Sequence, residues 1–426
     1  MKHKVLILGT LGEFTELVKK AKEKGYETVV CDGYADGIAR TYADKAYTIP
    51  VTDVDAIALM CREEGVDGII TSFSDLLLEC MVKIADKAGL PCYLKPEQLS
   101  WYRDKSACRD VLDKLGLPAP GFRKISVELL KQGSEEEIQQ SIANLQYPLI
   151  SKPLDKYGSR GIFIIKDQEQ LAGSVRKTAE FTDLDEILIE EYNDGFEFNM
   201  MTWVSDGAVR VISIADREKT QFAEGELPES TRNVYPSCLI DKVEEPAVSL
   251  LQSYIEYTGQ KEGPLSMQFF WKAGEGIQVC EIAARFFGYE HELTDMGYRF
   301  NMEELLLNYV YDNEYVTKML EAQDIRKPLM HGAVLYFHGR LKQIQEQQAA
   351  YELAEDKAVV KPWIFYEAGE EVVAYGPNPY LALYYIEAGS REELDEISRD
   401  FFEKMSMTDP DGEEIVFQNK IPKYSL

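Results

Sequence analysis

Two short segments carry residues whose types and spacing fit phosphate and metal chemistry. Lys152 closes an apolar run and leads into Pro153-Leu154-Asp155-Lys156-Tyr157-Gly158-Ser159-Arg160-Gly161. Gly158 and Gly161 let the backbone turn and approach a ligand closely, the amides and Ser159 can donate to phosphate oxygens, and Lys152 and Arg160 supply positive charge. A solvent-facing hairpin uses the same residues, so this loop by itself fits phosphate binding and a plain turn equally. The segment from Met267 to Gly288 reads as a hairpin that sets Gln268 opposite Glu281 across adjacent strands. Oxygen donors brought together in this way suit magnesium, which completes its shell with water and phosphate oxygens. Arg285, four residues beyond Glu281, has the forked geometry to grip a phosphoryl group. An ordinary hairpin with a surface glutamate has the same pattern.

Three further pieces belong with these. The run Ile187-Leu188-Ile189-Glu190-Glu191-Tyr192-Asn193 is a buried-type strand that passes into acidic residues and a turn. Its carbonyls and amides could meet an adenine edge, and Glu197 could accept from ribose hydroxyls. Asp104-Lys105-Ser106-Ala107-Cys108-Arg109 places Lys105 on a helix ahead of the break Gly116-Leu117-Pro118-Ala119-Pro120. Taken singly, these are a strand end and a solvated helix charge. His291 is one of four histidines, none at metal-ligand spacing, and reads either as a substrate contact and base or as a structural residue. The polar stretch Lys219–Asn233 reads as a lid that keeps water from a reactive intermediate, or as a surface loop.

The elements that must hold these residues follow from periodicity. Over the first ninety-odd residues, strand-like runs at Lys4–Leu8, Thr28–Cys31, Gly68–Thr71 and Pro91–Tyr93 alternate with amphipathic stretches at Thr15–Lys24 and Asp55–Glu64. That alternation predicts a parallel sheet with helices on its faces. The turn Gly9-Thr10-Leu11-Gly12-Glu13 lacks the third glycine of a dinucleotide site, which favours a tight strand-to-helix turn and makes Asp32 a surface or capping residue. A helix is predicted over Ser100–Leu115 and strands at Tyr147–Lys152, Ile162–Ile165, Ile187–Glu191, Glu197–Val204, Ala208–Ala215, Leu265–Trp271 and Gly276–Ile282. Helices at Gln168–Thr178 and Pro246–Tyr257 make this middle part α+β. From His331 a further strand-helix-strand region ends in a helix at Ser390–Met405 and a strand-like Glu413–Gln418. Three domains are expected, at 1–95, 96–328 and 329–426.

Charge and composition narrow the partners. The net charge is −28 over 426 residues, which disfavours nucleic acid and anionic membrane surfaces and requires a local basic pocket for any anionic ligand. Hydrophobic residues at 45% and charged residues at 28% suit a globular enzyme. Met1-Lys2-His3-Lys4 runs into an apolar stretch far too short for a signal peptide or membrane span, so a cytoplasmic location is expected. Seven scattered cysteines without C-x-x-C spacing read as reduced thiols, mostly in cores.

In their order along the chain, these segments resemble the ATP-grasp superfamily of carboxylate-activating ligases. The series is a nucleotide-fold-like first domain, D-K-x-x-x-R before G-L-P-x-P, K-P with a G-S-R-G loop, E-E-Y with a following glutamate, then Q with E-I-x-x-R-F. The resemblance implies a pre-ATP-grasp, Rossmann-like first domain, a central ATP-grasp domain and a smaller C-terminal α+β domain. It implies ATP and Mg²⁺, with Mn²⁺ as a substitute, and small-molecule carboxylate and amine substrates. Lys105 and Lys152 match the lysines on ATP phosphates, and Gly158, Ser159, Arg160 and Gly161 the loop over them. Glu190, Glu191, Tyr192 and Asn193 match the adenine hinge, Glu197 the ribose ligand, and Gln268 and Glu281 the metal ligands. Arg285 and Lys152 would act on the transferred phosphoryl group. Many members have E-x-N-P-R, whereas Ala283 and Ala284 stand here, a form that looks like the branch of L-amino-acid ligases beside carbamoyl-phosphate-synthase-like enzymes. On that likeness Glu229, Arg232, Asn233 and His291 are substrate residues, with Asn233 where the branch has histidine. The reaction implied is amide or peptide bond formation through an acyl phosphate, with ATP going to ADP and phosphate. The alternatives are a bicarbonate-using, carboxylase or carbamoyl-phosphate-synthase-like enzyme, and an ATP-binding protein without ligase activity. Apolar faces in the first and third domains would permit a homodimer.

Overall fold

The computed structural model describes residues 2–156, 160–220, 228–288, 290–373 and 379–421. Its first sheet is fully parallel, with the order β3-β2-β1-β4 from β1 (Lys4–Leu8), β2 (Glu27–Asp32), β3 (Lys45–Thr48) and β4 (Gly68–Ile70). The apolar runs that announce β1 and β2 are buried on both faces, which is the fate of central parallel strands covered by helices. Asp32 is not at the surface: it is buried and accepts from the Thr10 amide and hydroxyl at 3.0 and 3.2 Å, fixing the turn after β1. The stretch Pro91–Tyr93 is not a strand. Tyr93 instead packs beneath Gly263 and donates to the Ala284 carbonyl at 3.0 Å.

A second, antiparallel sheet has the order β5-β8-β6-β7, from β5 (Phe122–Ser126), β6 (Leu149–Pro153), β7 (Phe163–Ile165) and β8 (Glu186–Glu191). Its apolar face is covered by the helix Gln168–Glu180, whose Leu171, Val175 and Ala179 meet Leu149, Ile165 and Ile187 in a separate small core.

The third sheet is the frame of the molecule. It contains β9 (Phe196–Ser205), β10 (Ala208–Thr220), β11 (Glu229–Tyr235), β12 (Gly263–Lys272), β13 (Gly276–Ala283), β14 (His331–His338), β15 (Val359–Ile364) and β16 (Tyr380–Ala388), in the order β13-β12-β9-β10-β11-β14-β16-β15. The strands after residue 329 therefore extend the sheet of the central region, because β14 pairs with β11 through Arg232↔Leu335 to Tyr235↔Gly332. The helix Arg391–Lys404 lies on β14 and β16 and closes a second core with Phe337, Tyr384, Phe401 and Phe402.

Four further expectations are corrected. The helix over Ser100–Leu115 is broken at Asp104, which has extended dihedrals and accepts from the Ser106 and Ala107 amides. An aspartate competes for exposed amides and caps a new helix, so Lys105 becomes the first residue of the helix Lys105–Lys114. The helix expected from Pro246 starts earlier, at Ile240, and carries the proline inside it. Both ends of the stretch Lys219–Asn233 lie in paired strands: β10 runs to Thr220 and β11 begins at Glu229, while 221–227 lie outside the described residues. Glu413–Gln418 makes only isolated bridges, Thr408↔Glu414 and Gly339↔Val416.

Candidate nucleotide and metal site

The second and third sheets face one another across a cleft of about 470 Å³. Its walls hold Lys105, Lys152, Glu190, Glu191, Tyr192, Asn193, Glu197, Glu229, Gln268, Glu281 and Arg285, so residues up to 180 positions apart in sequence (105 to 285) meet in one place. Gly158 and Ser159 lie outside the described residues, and Arg160 is exposed. Gly161 sits at φ +71°, and a Cβ there would lie 2.6 Å from the Cβ of Phe181, so both dihedral and space require glycine.

Lys152 is the central cation. It stands on β6 beside β8, and its Nζ is 2.5 Å from Oε2 of Glu190. The other oxygen of Glu190 is held by Arg109, which also donates to the Cys280 carbonyl at 2.8 Å. Burial works against the Glu190 charge, but Arg109 and Lys152 overcome it and hold the carboxyl down at about 2. Lys152 is likewise opposed by burial and raised by Glu190. Two cations and one buried anion leave a net positive charge on the floor of a strongly acidic protein, where an anionic ligand would dock. Glu190 is thus committed through its side chain to the cations, and any adenine contact falls to the strand end beyond it. There Asn193 donates to Gln278 at 2.6 Å and accepts from the Gly195 amide at 2.8 Å. Glu191 accepts from the Gln146 amide at 2.9 Å.

Lys105 reaches over the cleft from the new helix start and donates to the Lys156 carbonyl at 3.0 Å, at the edge of the loop that carries Gly158. Glu197 on β9 is buried and already engaged, by Arg217 at 2.5 Å and by Lys219 and Gln268. A ribose would have to share it with these groups.

The metal expectation has a geometric basis in the register. Gln268 pairs with Glu281 across β12 and β13, with a register shift immediately after Gln268, and Asn199 pairs with Gln268 on the other side. Cross-strand partners share a face, so Gln268 and Glu281 project into the cleft together. Among the described residues Glu281 takes no hydrogen bond or ion pair, which leaves its carboxylate available. No group of three or more His, Cys, Asp or Glu placed to hold a metal ion is present among them, so any cation here takes the rest of its shell from amide oxygen, water or ligand phosphate. The donor set fits magnesium on those terms.

Arg285 is partly buried and its guanidinium is gripped by Asp75 of the helix Asp75–Ala88, through 2.9 and 3.0 Å hydrogen bonds. Asp75, Arg109 and Arg217 are components the sequence reading assigned no role. Arg109 was visible as the last residue of D-K-x-x-x-R; Asp75 had no local signal.

The four residues expected to touch substrate separate. Glu229 lines the cleft. Arg232 does not: it is fully buried and bound to Glu218, to Asp395 at 2.6 Å and to Ser398 at 2.9 Å, where it fastens the C-terminal helix to the sheet. Asn233 is buried and donates to Glu290 at 2.9 Å and Tyr336 at 3.0 Å. His291 is buried with Nδ1 2.5 Å from Glu303 and Nε2 3.2 Å from Glu292, and stacks on Phe73 with centroids 4.5 Å apart. Burial opposes its charge, but Glu292 and Glu303 raise its pKa to about 9, which makes it an imidazolium held between acids rather than a base.

This architecture is the ATP-grasp fold, and residues 145–292 match the ATP-grasp domain family model. The chain is 25% identical over 274 residues to the carbamoyl phosphate synthase large chain of Clostridium perfringens (strain 13 / Type A), a match covering 63% of this chain and 24% of that protein. The chain therefore spans about a quarter of that relative's length. Among solved structures it superposes on the L-amino acid ligase from Bacillus licheniformis with a TM-score of 0.77 and 19% identity, covering 96% of this chain and 99% of that one. It also superposes on the biotin carboxylase domain dimer of Hydrogenobacter thermophilus 2-oxoglutarate carboxylase, in complex with MgADP, ADP and bicarbonate. There the TM-score is 0.68 and the identity 15%, covering 97% of this chain and 92% of that one. No helix among the described residues is long and apolar enough to cross a membrane.

Proposed function

We propose that this chain is an ATP- and magnesium-dependent carboxylate–amine ligase. The observation that carries the reading is the pairing of Gln268 with Glu281 in the same cleft as Lys105, Lys152 and Arg285. The ATP phosphates would lie over Lys152 and Lys105, and the adenine against the strand end Glu191–Asn193. Gln268 and Glu281 would hold magnesium, which supplies charge neutralisation on the phosphates when bound. Lys152 and Arg285 would stabilise negative charge on the transferred phosphoryl group as a substrate carboxylate attacks it in line, the bond from the γ-phosphorus to the bridging oxygen breaks and ADP leaves, giving an acyl phosphate. The amine then attacks the acyl carbon, the carbon–oxygen bond to phosphate breaks, and an amide forms. No protein nucleophile takes part. Domains at 1–95, 96–328 and 329–426 would then serve as a wall of the substrate cleft, the nucleotide-binding body and the far end of the shared sheet.

The test is magnesium-dependent phosphate release from ATP with pooled amino acids, small carboxylates or bicarbonate, followed by mass spectrometry of each active pool and a Glu281→Ala control. Stimulation by amino acids with a condensed product, absent in the control, supports the ligase. Stimulation by bicarbonate alone moves the assignment towards the chemistry of the carboxylase neighbour. ATP binding without turnover in every pool leaves a nucleotide-binding protein.

A further inference from the structure

Gln268 differs from a carboxylate in one respect that matters to a cation: its amide has an oxygen that can face the ion and an NH₂ that cannot. A glutamate has no wrong end. A glutamine on the wall of the cleft therefore serves as a ligand only when a neighbour fixes which way round its amide stands. Glu197 is in position to do so. It stands opposite Phe270 in the pairing of β9 with β12, two positions from Gln268, so the two side chains are diagonal neighbours on one face of the sheet, and both line the cleft.

The hydrogen bonds of Glu197 decide the orientation. Glu197 is 4% exposed. Its Oε1 accepts from Gln268 Nε2 and from Arg217 Nη1 at 2.5 Å, and its Oε2 forms an ion pair with Lys219, whose ammonium lies 5.4 Å from the centre of the Phe270 ring. A carboxylate between two cations offers only acceptors, which holds the Gln268 amide with nitrogen on Glu197 and oxygen turned away from it. Gln268 Oε1 accepts no hydrogen bond among the described residues, and Glu281 stands directly opposite Gln268 on the next strand. Reversed, the amide would set its oxygen against the Glu197 carboxylate and its NH₂ towards any cation held by Glu281. Arg217 and Lys219 also balance the charge of Glu197, so it does not draw a cation to itself.

We infer that Glu197 is a positioning residue for the metal: it holds the Gln268 amide so that the oxygen, and not the nitrogen, is presented to a cation shared with Glu281. The inference rests on the magnesium reading of this cleft and deepens it. It gives the buried carboxylate a task that does not depend on a ribose, and it explains how a neutral amide does the work of a second acid.

The experiment measures by calorimetry how far Mg²⁺ tightens ADP binding, as the ratio of the Kd in EDTA to the Kd in saturating Mg²⁺. Taking the ratio cancels any contact of Glu197 with the nucleotide itself. The wild-type ratio is expected to be about tenfold or more, and Glu197→Gln, whose own amide accepts Gln268 either way round, should bring it down to about twofold or less, in line with the roughly 10- to 100-fold lost with an orienting partner. The exchange of Glu197→Gln with Gln268→Glu keeps the charge and swaps donor for acceptor. It should restore the ratio to within about threefold of wild type, which the loss of a ribose contact or of a structural ion pair would not allow. An unchanged ratio in Glu197→Gln, or no recovery in the exchange, overturns the inference and leaves the magnesium reading standing. No tightening in the wild-type chain overturns both. A cooperative melt checks that each variant folds. Should Glu197→Gln not fold, the wild-type chain labelled with ¹⁵N-glutamine decides. The side-chain NH₂ signal that Gln268→Glu removes should keep its protection from exchange with water when MgADP binds, and loss of that protection overturns the inference.

Discussion

Arg285 and Asp75 meet through two parallel hydrogen bonds, 2.9 and 3.0 Å long, across a separation of 210 residues. The pair ties the end of the metal strand to the first turn of a helix in the parallel-sheet region, and Arg103 approaches the same carboxylate at 3.7 Å. Burial works against the Asp75 charge, but Arg285 and then Arg103 keep its carboxyl below the ordinary range. Asp75→Asn keeps the shape and removes the charge. Loss of one charge-assisted pair costs about 1.5–3 kcal/mol. Turnover is expected to fall about tenfold or more as Arg285 loses its fixed orientation, with a lower melting temperature. Asp75→Glu should restore part of both. Turnover unchanged in Asp75→Asn would show that Arg285 needs no clamp.

Glu190 is the single anion between Lys152 and Arg109. Glu190→Gln leaves two buried cations facing one another, and breaking a buried pair in this way costs about 3–5 kcal/mol. Urea unfolding should show that loss. Lys152→Met removes one cation instead and should weaken ATP binding roughly 10- to 100-fold, the equivalent of about 1.5–3 kcal/mol for a charged hydrogen bond. Calorimetry with ADP separates the two effects.

Glu281 has an available carboxylate in the cleft, and magnesium normally takes one or two such groups. Magnesium should therefore tighten ADP binding in the wild-type chain and have little effect in Glu281→Ala. An equal magnesium effect in both proteins would move the metal site elsewhere.

His291 gives the stability a defined pH dependence. Its folded pKa, about 9, lies above the ordinary value of 6.5, so the protonated form is bound more strongly in the folded state. The stabilisation is complete below about pH 6.5 and disappears as pH rises through about 9, with a slope of at most ~1.4 kcal/mol per pH unit. His291→Gln should flatten the curve in that window. Chemical denaturation at pH 6, 7.5 and 9 measures it, and a parallel slope in the variant would assign the dependence to another group.

Much of the frame was legible because it depends on local spacing. The doubly buried runs at Lys4–Leu8 and Thr28–Cys31 could only be inner strands of a parallel sheet. The turn after Lys272 fixes the hairpin, but unbroken register from it would set Gln268 opposite Cys280, and the shift between Gln268 and Phe269 is what brings Gln268 opposite Glu281. Where the spacing was ambiguous the reading slipped. Asp104 broke a helix that its apolar stripe predicted to be continuous, because a capping aspartate outweighs a stripe.

The sequence by itself determined the residue types at the cleft and the strands that carry them. Only the tertiary structure decided which charges are partners. Arg232 looks like a substrate residue in the chain and is a fully buried strut in the fold, because Asp395 and Ser398 come to it from a helix more than 160 residues away. Glu190 reads as a hinge residue and is the counterion of Arg109 and Lys152. Glu290 drew no assignment, yet from the start of a helix it collects Asn199, Asn233 and Tyr235 from two strands. Hydrophobic periodicity reports burial of a face, but the state of a polar side chain is set by the few groups within hydrogen-bond reach, and folding alone brings those together.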